Sequence, residues 1–148
     1  PTSVYSVGGC YEFEAFGEYG DGDNVTALMQ FQNQSMAFFF AGRTAPHGYN
    51  IETEIVGTKS TLRIGSIPQK NFVEILDHSG VRKVCSEDFI ERFGEAYTNE
   101  LQEFVNCIIE GRQPQITVKD GIEATRIAIA ATQSFQEKKI VQLNQSSL

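Results

Sequence analysis

Among the 148 residues of this chain, those best suited to meeting a small polar molecule are gathered in one short stretch: Arg43, His47 and Tyr49, set beside Pro46 and Gly48. They bring a cation, an imidazole and a phenol to a polar loop that leads into a strand, and loops on a rigid scaffold are where binding residues concentrate. An ordinary solvated connection between two strands fits the same spacing. The other reactive side chains are dispersed. Cys10, Cys85 and Cys107 form no Cys-x-x-Cys pair, and His47 and His78 stand apart from them and from each other, so no metal site is expected. His78 falls in Asp77-His78-Ser79-Gly80, where a solvent-facing turn residue is expected. The odd cysteine count points to reduced thiols, at least one of them buried, in a cytoplasmic protein.

Composition removes several classes of partner. The net charge is −7 and Lys and Arg form no cluster, which argues against nucleic acid, whose phosphates must be met by grouped cations. No apolar run approaches the roughly 20 residues that span a bilayer, and the N-terminus lacks a basic-then-apolar leader, so no membrane partner is expected. No Gly-x-Gly-x-x-Gly follows a strand and there is no Walker pattern; a nucleotide site within these residues is not expected. The length suits one domain, and the absence of a start methionine before Pro1 reads as a fragment.

The elements that must position the polar loop are mostly hairpins. A strand is expected from Val4 to Tyr11, then a mobile, carboxylate-rich loop over Glu12 to Asp23. Two strands between Asn24 and Arg43 meet at an Asn33-Gln34 turn. In the second of them Met36, Phe38 and Phe40 alternate with Ala37, Phe39 and Ala41, so both faces are apolar and both must be covered, by this chain or by a second domain or subunit. Alternation resumes at Ile51, Thr53 and Ile55 and, after a Gly-containing turn, at Leu62 and Ile64. A further hairpin joins Phe72 to Leu76 with Val81 to Cys85. The period then lengthens to three and four. Phe89, Phe93, Tyr97, Leu101, Phe104, Val105 and Ile108 mark an amphipathic helix over Asp88 to Glu110 that stops at Gly111, with Gly94 a place where it can break. Thr117-x-x-Asp120 caps a second helix, Ala-rich, that runs to about Lys139, and Ile140, Val141 and Leu143 suit a last short strand.

Three of these stretches carry a resemblance. Gly48-Tyr49-Asn50 followed by Glu54-Ile55-Val56-Gly57-Thr58-Lys59 resembles the Gly-Tyr-Asp and Glu-Ile/Val-x-Gly-x-Lys-Gly segment of the glucose-fructose oxidoreductase and inositol dehydrogenase family (Gfo/Idh/MocA), inositol 2-dehydrogenase-like members above all. Phe93-Gly94-Glu95-Ala96-Tyr97 with Glu100 and Phe104 resembles its Phe-x-x-Ala-Tyr-x-x-Glu-x-x-x-Phe helix, and Asp120-Gly121-x-x-Ala124 its Asp-Gly-x-x-Ala helix start. Two departures stand out: Asn50 where Asp is common, and Ser60 where the turn usually carries Gly, so position 60 is expected to avoid positive φ.

The resemblance implies an α+β fold: a large, mostly antiparallel sheet with helices packed on one face and an oligomerisation surface on the other. It implies that residues 1–148 are the C-terminal substrate-binding and oligomerisation domain of an NAD(P)-dependent dehydrogenase acting on a polyol or sugar, myo-inositol-like. The family's N-terminal Rossmann domain, Glu-Lys-Pro lysine and catalytic Asp and His are not in this chain, whose prolines never follow a Lys. No catalytic residue and no cofactor are therefore expected within the fragment, which alone should be inactive; NAD or NADP would sit on the missing domain. Tyr49 matches a family position that approaches the polyol, while Arg43 and His47 are its neighbours, His47 a binding contact before it is a base. Self-association as a dimer or tetramer is implied. Two other classes stay open: a stand-alone sugar- or polyol-binding module, and a purely structural assembly domain.

Overall fold

Strand β1 (Ser3–Gly9) sits at the centre of the first of two units into which the chain divides, residues 1–44 with 115–148; the second is residues 45–114. The computed structural model describes residues 1–65 and 69–143. β1 pairs antiparallel with β2 (Asn24–Gln30) on one side and with β8 (Val141–Gln142) on the other, and β2 pairs with β3 (Met36–Gly42), giving the order β3-β2-β1-β8. The register puts Val4, Ser6, Ala27, Met29, Ala37 and Phe39 on one face and Tyr5, Val7, Leu28, Met36, Phe38 and Phe40 on the other, because side chains alternate along each strand. Helix α3 (Val118–Glu137) lies along β1. Its Ala130 and Ala131 allow close approach, so Val4, Ala27 and Ala130 form the buried centre, flanked by Met29, Val141 and Leu143. Ser134 Oγ completes this seam, accepting from the Ser6 amide at 2.9 Å and donating to the Lys139 carbonyl at 2.6 Å.

The region read as a mobile carboxylate-rich loop is tied down. It contains a single helical turn, α1 (Ala15–Glu18), and ends on Asp23, a carboxylate only 1% exposed. Asp23 accepts from the amides of Tyr11, Glu12 and Phe13 at 2.7 to 3.0 Å and from Asn24 Nδ2 at 3.0 Å. Burial alone would raise its pKa; the amides of Phe13 and Glu12, the Asn24 side chain and the Tyr11 amide outweigh it and bring the pKa to about 2. Composition indicates solvent for such a loop, but one well-placed carboxylate collects its otherwise unpaired amides.

The second unit holds two separate hairpins and one long helix. β4 (Thr53–Val56) pairs with β5 (Thr61–Ile64), and β6 (Gln69–Asp77) with β7 (Gly80–Cys85). Every described pairing in the chain is antiparallel, as expected, while the strands are shared between one four-stranded sheet and these two hairpins rather than joined in one large sheet. Ser60 is not among the positive-φ residues, in keeping with its departure from Gly. α2 (Phe89–Glu110) starts on Asp88, whose carboxylate accepts from the Glu91 amide at 2.8 Å, and stops on left-handed Gly111. It is kinked at Phe93, the residue before Gly94 (φ −125°, ψ 16°). No helix among the described residues is long and apolar enough to cross a membrane.

Candidate functional site

Tyr49 is delivered to its place by three backbone features. The Gly48 amide donates to the Ala45 carbonyl at 3.1 Å, closing a β-turn with Pro46 at its second position, where the ring pre-sets φ, and His47 exposed at its tip. Gly48 itself has φ +114°, and a Cβ there would lie 2.6 Å from the Ser86 carbonyl oxygen and 2.9 Å from Cys85 Cβ, so only glycine can run this close to the end of β7. The next amide, that of Tyr49, donates to the same Ser86 carbonyl at 2.8 Å, and Ser86 is fully buried. The loop is thus stitched to the junction between β7 and α2.

That stitch sets the Tyr49 ring against the first turns of α2. Its centroid is 6.2 Å from both Phe89 (tilted 57°) and Phe93 (edge-on, 84°), and Phe89 in turn meets Tyr97 edge-on at 6.4 Å. Tilted and edge-on pairs each contribute about 0.5 to 1.5 kcal/mol beyond area burial, which fixes the ring plane. Tyr49 remains 38% exposed, and its hydroxyl makes no hydrogen bond among the described residues. A rigid phenol with a free donor and acceptor is a suitable contact for a hydroxyl-bearing ligand. The next residue, Asn50, buries its side-chain oxygen with no hydrogen-bond partner among the described residues. Arg92 steadies the kink: its guanidinium lies 5.7 Å from the Phe93 ring centroid and donates to the Gly65 carbonyl at 3.2 Å.

The three residues singled out by sequence are divided. His47 and Tyr49 lie on one stitched loop in the second unit, whereas Arg43 belongs to the first, where its amide donates to the Asp23 carbonyl at 2.8 Å and its guanidinium covers the Phe16 ring at 5.8 Å. His78 is exposed in its turn, as expected. Sequence reading missed the aromatic seat. Phe89, Phe93 and Tyr97 were legible only as the apolar face of a helix, and their spacing of four carries no sign that a loop tyrosine joins them. The sole sequence signal was Gly48 before Tyr49.

The glycine pair that ends β1 packs closely against β2. The space a Gly8 Cβ would take is filled by the Asn24 carbonyl oxygen at 2.3 Å, and the segment that follows carries Glu12, Glu14 and a single helical turn. A pyrophosphate there would meet carboxylates and no long helix N-terminus.

Residues 4–143 match the family model described as oxidoreductase family, C-terminal alpha/beta domain, and the chain belongs to that family. It is 34% identical over 143 residues to the scyllo-inositol 2-dehydrogenase (NAD(+)) of Bacillus subtilis, covering 97% of this chain and 42% of the relative. It is 29% identical to the inositol 2-dehydrogenase of Rhizobium meliloti, covering 97% and 43%. Among solved structures, the scyllo-inositol dehydrogenase of Lactobacillus casei with bound NAD(H) and scyllo-inositol superposes with a TM-score of 0.90 at 38% identity, over 95% of this chain and 42% of that one. The chain therefore spans about two fifths of the length of the relatives it matches.

Proposed function

We propose that this chain is the C-terminal, substrate-shaping and subunit-joining part of an NAD(P)-dependent dehydrogenase that oxidises a polyol or sugar of the inositol type. The observation that carries the reading is the Tyr49 seat: a phenol locked by Gly48, Ser86, Phe89 and Phe93, with its hydroxyl unpaired among the described residues. The substrates and cofactor of the B. subtilis and L. casei relatives support it. The nucleotide is bound outside residues 1–148, together with the groups that accept the hydroxyl proton, and this chain contributes hydrogen bonds that orient the polyol. Tyr49 is the principal contact and exposed His47 a second. Arg43, engaged with Phe16, is the weakest member of the set.

Self-association uses the sheet face that α3 does not cover. Tyr5, Val7, Leu28, Met36, Phe38 and Phe40 share that face and all are exposed, and exposed apolar side chains grouped on one face mark an association surface. A cytoplasmic location suits three free thiols. The test is the full-length protein assayed with scyllo- and myo-inositol and with NAD+ and NADP+. Reduction of either nucleotide by an inositol supports the reading. No activity with any cyclitol or sugar, in a folded protein that binds the nucleotide, overturns it.

A further inference from the structure

Asn50 is the residue at which this chain departs from the Asp common in the resembling motif, and its structure is unusual in a specific way. The side-chain oxygen is shielded from solvent and has no hydrogen-bond partner among the described residues. Buried carbonyl oxygens are nearly always paired, and leaving one unpaired is costly, so an exception calls for a reason. The backbone at this position cannot easily move to bring the side chain to a donor. Just upstream the chain is pinned by the Tyr49 amide on the Ser86 carbonyl and by Gly48 at φ +114°; just downstream the Ile51 carbonyl packs where a Gly65 Cβ would lie, at 2.7 Å. The fold therefore holds a polar group that is unsatisfied among the described residues one position along the chain from the phenol assigned to substrate, which is the arrangement of a site prepared for a group that arrives from outside.

We infer that Asn50 is a specificity-determining residue of the same site, its side-chain amide pairing with a ring hydroxyl of the bound polyol. The inference rests on the polyol reading above. A hydroxyl is the fitting partner because it both donates and accepts, so it satisfies the amide whether the carbonyl or, after a half-turn of the group, the NH2 faces it. A deoxy ring carbon can do neither, and its binding would leave the amide unpaired, which is how a hydrogen-bonding site rejects an analogue that lacks the group.

The experiment uses the full-length protein and compares wild type, Asn50→Leu and Asn50→Asp on scyllo-inositol and on a set of its mono-deoxy analogues, with thermal unfolding of each variant. Asn50→Leu removes the amide at similar volume. It should lower kcat/KM for the intact polyol by up to about tenfold, leave kcat/KM unchanged for the one deoxy analogue that lacks the partner hydroxyl, and keep or raise the unfolding temperature, since an unpaired buried acceptor has been replaced by an apolar group. Asn50→Asp, which retains an acceptor, should preserve the preference for the intact polyol. If leucine does not fit, Asn50→Ala is read by the same substrate ratios. An equal effect on every analogue, or none on any, overturns the inference, as does a loss of stability that accounts for the loss of activity. A wild-type protein inactive on all cyclitols and sugars would instead sink the polyol reading, and this inference with it.

Discussion

The two units of the chain achieve order by different means. In the first, an apolar centre is closed under α3: Val4 is 1% exposed and Ala27 and Ala130 scarcely more, with the buried Ser6, Ser134 and Asp23 each hydrogen-bonded at its margin. In the second, every residue of β4 and β5 is exposed, and the buried residues among those described there are Ser86 and Cys107. Its order comes from polar tethers instead: Tyr49 to Ser86, Arg92 to Gly65, Asp88 at the start of α2, and Arg112, which folds back beyond its end onto Glu103 at 2.6 and 2.9 Å. Apolar burial supplies stability without direction, whereas hydrogen bonds and ring edges fix orientation at modest net gain. The unit held by tethers is the one that presents Tyr49, and the unit held by a core presents the exposed apolar sheet face proposed above for association.

The strongest test of that division replaces Phe38 or Phe40, 67% and 57% exposed on the open face. A carboxylate at an interface without a partner costs several kcal/mol, at least about a hundredfold in the dissociation constant. Phe38→Glu should dissociate the protein in light scattering while leaving its fold intact. A monomeric wild type would remove the association half of the comparison. Phe39 is the poorer probe, because the register places it on the helix side with Val4 and Ala27.

Next in size, Gly8→Ala should destabilise the first unit by roughly 3 kcal/mol, because its Cβ would lie 2.3 Å from the Asn24 carbonyl oxygen and 2.7 Å from Val25 Cα, both backbone atoms that can move only by parting β1 from β2. Gly121→Ala in α3 meets nothing within 4 Å and should be neutral or stabilising by up to about 1 kcal/mol. Urea midpoints for the pair check both. Equal midpoints would show that the β1–β2 seam is not under the constraint described.

In the tethered unit the matching substitution, Gly48→Ala, should cost about 1 to 3 kcal/mol locally. It should loosen the loop, seen as faster hydrogen exchange at the Tyr49 amide and a fall in kcat/KM on the parent's polyol. Should kcat/KM hold while the unfolding temperature drops as far as for Gly8→Ala, the claim that this unit orients rather than stabilises would be wrong.

Acid sharpens the comparison further. The Asp23 carboxyl is held at about 2 against an ordinary 3.8, so in the unfolded chain it takes up a proton first as pH falls. Its contribution is complete above about pH 4 and disappears as pH falls toward 2. Glu103 behaves alike in the second unit, brought from 4.5 to about 2 chiefly by Arg112. Asp23→Asn should flatten the acid limb of the stability curve of the first unit. An unchanged acid limb would mean that the loop does not depend on this carboxylate.

How much of this was legible in the sequence follows from the range of the forces involved. Periodicity and caps are local, so α2 was placed from Asp88 to Gly111, its break was expected beside Gly94, and the Thr117 to Asp120 cap is present, with the Thr117 amide donating to that carboxylate at 2.7 Å. The left-handed residue of the β2–β3 turn proved to be Gln34 rather than Asn33, whose side chain instead accepts from Ser35 at 3.1 Å. Asp23 escaped notice because its partners lie ten to twelve residues upstream and are amides, which leave no trace in residue type. The Tyr49 seat escaped for the same reason: Phe89 lies 40 positions away, and only three-dimensional packing brings the two rings together.

The central claim, that the stitched loop presents Tyr49 to a polyol, is tested most directly by Tyr49→Phe in the full-length protein. The ring and its contacts with Phe89 and Phe93 are kept and only the hydroxyl is lost. kcat/KM on inositol should fall by up to about tenfold, the equivalent of about 0.5 to 1.5 kcal/mol, with nucleotide affinity and unfolding temperature unchanged. An unchanged kcat/KM on every polyol the enzyme accepts would contradict the account and leave residues 43–49 a connection between strands.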